Sequence, residues 1–73
     1  MKNEVIEIIS QILAEDPVDE NSDTNNTEHW DSVNHMHIIT SIEDEFDIMF
    51  SEEEIIDMMS VRKILELLHE KIN

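Results

Sequence analysis

Apolar residues recur at helical spacing in four stretches of this chain, separated by polar gaps. In the first, Val5, Ile8, Ile9 and Ile12 follow the i, i+3, i+4, i+7 pattern of one buried helix face, and Ile6 and Leu13 widen the stripe. Asn3 is the expected N-cap. Glu4 and Glu7 lie in the first turn, where the helix dipole favours acids. The pattern runs to about Ala14, and Asp16-Pro17 ends it, because proline disfavours helix at the residue before it.

A second helix is predicted from Asp31, a good N-cap, to near Asp47. At about 100° per residue, His35, Ile38, Ile39, Ile42 and Phe46 share its core face. Val33 falls roughly opposite and Met36 on the flank, among His37, Thr40, Glu43, Asp44 and Asp47. Apolar side chains beside an acidic stripe on the outer face have the character of a docking surface. Asp47-Ile48-Met49-Phe50 then reads as a connector with Phe50 turned inward. Ser51-Glu52-Glu53-Glu54 has the form of a capping box and opens a short helix to about Met58, with Ile55, Met58 and Ile56 as its apolar side. Ser60 caps the last helix, whose core stripe is Val61, Ile64, Leu65, Leu68 and Ile72, broadened by Leu67. Arg62 and Lys63 sit in its first turn, the less favourable end for cations. The predicted fold is all-α: a small antiparallel bundle of three long helices with a short third helix packed across it.

Residues 15–31 carry no apolar periodicity. Asp19, Asn21, Ser22, Asp23, Asn25 and Asn26 are turn formers, Val18 is the one aliphatic residue, and Trp30 closes the segment. So long a loop in so small a domain is expected to be functional or mobile.

Composition narrows the possibilities. The 73 residues make one domain, 1–73, with a thin core, since a chain of this size buries only about 60% of its unfolded surface. There is no cysteine, which excludes disulfides, thiolate chemistry and Cys-type zinc sites. Nineteen acidic residues face four basic ones, for a net charge of −15. Such a surface repels nucleic acid and anionic membrane and speeds encounter with basic partners. High charge favours disorder, but 40% apolar content in strong helical periodicity opposes it. No run approaches the ~18 apolar residues of a membrane span, and the N-terminus lacks the pattern of a secretory signal. A cytoplasmic monomer is expected. Asn25-Asn26-Thr27 is a glycosylation sequon in form, without meaning unless the protein is secreted.

Three chemistries can be tested against the residues. Asp19, Asn21 and Asp23 match the first ligands of an EF-hand loop, but Thr24 stands where glycine is needed and Trp30 where glutamate is needed. Asp31, Ser32 and His35 are close in sequence, yet their spacing is wrong for a triad and no Gly-x-Ser-x-Gly elbow exists. His35 and His37 are two apart on a helix and diverge, so with His29 they make no metal site. Ser32 fits another role. On the first turn of a helix its hydroxyl is exposed beside unpaired amides, where an attached phosphate is favoured.

The segment Asp31-Ser32-Val33 resembles the Asp-Ser-Leu motif of acyl carrier proteins. The resemblance extends through Ile42-Glu43-Asp44-Glu45-Phe46-Asp47-Ile48, the Ser51–Glu54 turn, and Ser60-Val61, which is similar to the Thr-Val opening that family's last helix. It covers essentially the whole chain. It implies that Ser32 carries a 4′-phosphopantetheine arm as a phosphodiester, transferred from coenzyme A by a separate magnesium-dependent phosphopantetheinyl transferase. The arm's thiol would hold acyl or aminoacyl groups as thioesters for partner enzymes with basic docking surfaces, without catalysis by the carrier itself. Asp31 would assist recognition by the transferase. Val33, Met36, Glu43 and Asp44 would face partners, joined by Met58. The chain departs from the carriers of fatty-acid synthesis at Val33, at His29-Trp30, and at Asn34 and His37, which are often acidic there. Trp-Asp-Ser is similar to dedicated carriers that load amino acids or serve polyketide and surface-polymer pathways. The competing reading is an unmodified helical interaction domain that uses the same acidic face.

Overall fold

A computed structural model describes residues 1–15 and 17–72. Its elements are α1 (Lys2–Leu13), α2 (Ser32–Phe46), α3 (Glu52–Asp57) and α4 (Val61–Ile72), and no strand occurs among the described residues. This is the all-α arrangement of three long helices and one short one. α1 packs against both α2 and α4.

In α1 the buried positions are Val5, Ile9 and Leu13, spaced four apart, while Ile6, Ile8 and Ile12 are half-buried against them. Asn3 is not the cap. The helix begins two residues earlier, at Lys2, and Met1 takes the N-cap position with no side-chain hydrogen bond. The Met1 ammonium pairs with Glu4 at 2.8 Å instead, placing an anion in the first turn. Ala14 ends the helix in the left-handed conformation, φ 53°, its N–H donating to the Ser10 carbonyl. Asp16, on which the argument from Pro17 rests, lies outside the described residues.

α2 starts as expected: Asp31 is extended and its carboxylate accepts the Asn34 N–H at 2.8 Å. It buries His35, Ile38, Ile39 and Ile42. Asp47 closes it with φ 54°, again left-handed, and Phe50 turns into the core. The capping box of α3 forms in full, with Ser51 and Glu54 each accepting the other's N–H. Ser60 caps α4 by accepting the Lys63 N–H at 3.1 Å. α4 buries Val61, Ile64 and Leu68, but Ile72 is exposed in the last turn, beyond the reach of the core.

Residues 19–27 of the connecting segment are tied down by side-chain and backbone bonds. Asp19 accepts the Asn21 N–H, and Asp23 accepts those of Asn25 and Asn26. Asn26 returns the contact by accepting the Asp23 N–H and donating to the Asn21 carbonyl. A bridge joins this loop to the start of α4: the Thr24 N–H donates to the Met59 carbonyl and the Val61 N–H to the Ser22 carbonyl. Val18, Ser22, Thr27 and Trp30 are buried. The cations at the head of α4 have partners on neighbouring elements. Arg62 donates to the Asn21 side chain at 3.1 Å, and Lys63 lies 3.4 Å from Asp57.

Candidate functional site

Ser32 is the first residue of α2 and is exposed. The residues before it are held by local bonds. Trp30 N–H donates to the Thr27 carbonyl, Asp31 N–H to the His29 carbonyl, and the Asn34 side chain to that same carbonyl at 2.8 Å. Glu15 grips the other side: one of its oxygens accepts the His29 N–H at 2.8 Å and lies 2.9 Å from His29 Nδ1. Asp31 accepts the Asn34 N–H, and the Ser32 and Val33 amides, lying in the first turn, have no intrahelical carbonyl to bond. The hydroxyl of Ser32 therefore sits on an ordered, electropositive helix end.

Trp30 and His35 form the inner wall. The indole Nε1–H donates to His35 Nδ1 at 3.0 Å, and His35 Nε2 lies 2.9 Å from the Ile55 carbonyl oxygen. An indole can only donate and a carbonyl can only accept, so the ring is neutral with its proton on Nε2. Both nitrogens are engaged, and neither is available to take a proton from Ser32. Thr24, Trp30, Asp31, Ser32, His35 and Met59 line an open cleft of about 250 Å³ beside the serine. A cleft of about 270 Å³ between α1 and α2, lined by Glu4, Glu7, Ile8, Gln11 and Glu45, shares no residue with it.

The other expected site residues divide. Val33 is 66% and Met36 47% exposed on the outer side of α2, and Asp44 is exposed with them. Glu43 is half-buried, and one of its oxygens accepts the Phe50 N–H at 2.8 Å, so it fastens the connector to α2 rather than standing free for a partner. Met58 requires correction. It is 0% exposed in the core, and its neighbours Ile56 and Met59 are the exposed apolar residues of that region. α3 is short and buries none of its own residues, so the residue just past its end supplies the anchor.

The candidate EF-hand side chains of Asp19, Asn21 and Asp23 are used within the loop or on Arg62. Among the described residues no group of three or more His, Cys, Asp or Glu could hold a metal ion, and no helix is long and apolar enough to cross a membrane. Sequence reasoning missed the Trp30–His35 pair. The available signal was an indole donor and an imidazole five residues apart, bracketing a helix start.

Among solved structures, the chain is similar to one described as "a putative acyl carrier protein" from Mycobacterium tuberculosis, with a TM-score of 0.80 and 26% identity, covering 89% of each chain. No family model and no curated protein matches the sequence. The bundle is thus an acyl-carrier-protein-like fold, and the likeness supports a carrier role in general.

Proposed function

We propose that this protein is a carrier modified at Ser32 by 4′-phosphopantetheine. The observation that supports this most directly is an exposed serine at the capped start of α2, in a fold like that of an acyl carrier protein. In the loading step the Ser32 Oγ forms a new bond to the pantetheine-bearing phosphorus of coenzyme A. The pyrophosphate link breaks, the adenine nucleotide leaves, and the serine proton is released to the transferase. Once attached, the arm supplies a thiol that holds acyl or aminoacyl cargo as a thioester. The chain's own part is to present the hydroxyl. Asp31 caps α2 and orders the approach, and the unpaired amides of Ser32 and Val33 favour the resulting phosphodiester anion.

Val33, Met36 and Asp44 form the outward side of α2 in this reading, with Ile56 in place of Met58. The partners are the transferase and cargo-handling enzymes with basic docking surfaces. Each of the four Lys and Arg side chains already has a polar partner on this chain: Lys2 with Glu20, Arg62 with Asn21, Lys63 with Asp57 and Lys71 with Glu54. The outward field is left to the acids, which favours a basic counterpart.

Intact mass is the test, before and after incubation with coenzyme A, magnesium and a broad-specificity phosphopantetheinyl transferase. A gain of one phosphopantetheine unit is expected, absent in Ser32→Ala while its helical circular dichroism is unchanged. Loading that persists in Ser32→Ala would sink the site assignment. A bare chain that never gains the unit would instead favour an unmodified interaction domain.

A further inference from the structure

We infer that Trp30 and His35 are positioning residues for group attachment at Ser32, acting as a hydrogen-bonded latch that pre-orders the segment leading into α2. This rests on the reading of Ser32 as the attachment site. The latch spans three elements. The indole of the incoming loop donates to His35 Nδ1 at 3.0 Å, and His35, on the first turns of α2, donates through Nε2 to the Ile55 carbonyl of α3 at 2.9 Å. Trp30 is 3% and His35 3% exposed, so these bonds are shielded from competing water.

The surroundings explain why such a latch matters. Trp30-Asp31-Ser32 contains no proline to fix its backbone. α3 buries none of its own residues, so the bond to Ile55 is one of the few ties between α2 and α3. Trp30 and His35 are also two walls of the cleft that includes Ser32. A transferase that must engage Trp30-Asp31-Ser32 meets it already ordered. The bonds to Thr27, His29 and Glu15 hold the backbone of this segment, and the latch adds its anchor to α2 and α3. Without that anchor part of the order has to be created on binding, which weakens association and leaves the chemical step alone.

Three variants separate the two halves of the latch. Trp30→Phe keeps an aromatic ring and loses the donor. His35→Gln keeps a donor near the place of Nε2 and loses the acceptor at Nδ1. His35→Asn keeps an acceptor near Nδ1 and loses the tie to Ile55. Loading by a broad-specificity phosphopantetheinyl transferase is followed at varied carrier concentration. Trp30→Phe and His35→Gln are expected to raise KM for the carrier about fivefold at unchanged kcat, the equivalent of one net hydrogen bond of about 1 kcal/mol. His35→Asn, which keeps the bond from Trp30 and loses the tie to Ile55, is expected to raise KM by less than the other two. Wild-type KM in the first two variants, with native-like circular dichroism, would overturn the inference. So would an equal loss in all three that follows their melting temperatures, since that marks a purely structural role. If the wild-type chain accepts no arm, the attachment reading fails separately, and nitrogen NMR decides the latch. A slowly exchanging indole N–H with a neutral Nε2–H tautomer at His35 upholds the ordering, and a rapidly exchanging indole N–H overturns it.

Discussion

Among the described residues, two occupy left-handed backbone that neither glycine nor asparagine fills: Ala14 at φ 53° and Asp47 at φ 54°. For alanine this conformation costs roughly 1–2 kcal/mol, partly offset because glycine would loosen the unfolded chain. Ala14→Gly should therefore raise stability by about 0.5–1 kcal/mol, read as an increased midpoint in urea; a decrease would show that the Ala14 methyl makes a contact worth more than the strain. Burial draws a second contrast between adjacent apolar residues. Met58→Ala opens a cavity in the core and should cost about 2–5 kcal/mol. Ile56→Ala, at a position 69% exposed, should stay within about 0.5 kcal/mol of the parent. Equal effects of the two would contradict the placement of Met58. From the sequence these residues were indistinguishable. A six-residue helix completes under two turns, and its apolar spacing does not say which side turns inward.

At the scale of elements, α3 is the least self-sufficient. It buries no residue of its own and is held by its capping box, by the Lys71–Glu54 ion pair at 3.0 Å and by the His35 bond to Ile55. The Ser51 N–H, and after it the Lys71 ammonium, hold the Glu54 carboxyl below its ordinary value. A carboxyl lowered in the folded state contributes stability that is fully present above the unfolded value and is lost as pH falls through the folded one. The melting advantage of the parent over Glu54→Gln should accordingly shrink as the solution is acidified through the carboxylate range. A difference that is constant with pH would mean that the ion pair and cap do not act on the charged form. Ser51→Ala should cost about 1 kcal/mol. The 15–31 segment is the opposite case. Its length suggested a functional or mobile loop; in its described residues, side-chain turns and the bridge and tether at Ser22, Asn21 and Thr24 join it to α4 and its start.

Across the whole molecule, charge sets the behaviour. Nineteen acids share a body of 29 × 23 × 19 Å, and eight of them fall between Glu43 and Asp57. At physiological salt the screening length is about 8 Å, so many of these charges feel one another. The ion pairs of Lys2 with Glu20 and Lys63 with Asp57 are exposed, and pairs of that kind contribute at most about 1 kcal/mol. Repulsion should dominate. The melting temperature is expected to rise with added salt or millimolar divalent ions, and a flat response in a salt titration would refute this.

The helices of this bundle were legible in the sequence because their causes are local. Val5, Ile9 and Leu13, or Ile38, Ile39 and Ile42, repeat at helical spacing, and Asp31, Ser51 and Ser60 stand at the first turns that they cap. The outward placement of Val33 and Met36 followed from the same 100° rotation. Ser32 was legible as the head of a helix for the same reason. What only the tertiary structure decided concerns contacts between residues far apart in the chain. Arg62 reaches Asn21, His35 reaches Ile55, and Met58 rather than Ile56 enters the core. Periodicity specifies which face of a helix is apolar, but not what that face meets. Partners such as these are chosen only when the helices have packed and every buried donor and acceptor has to find its match.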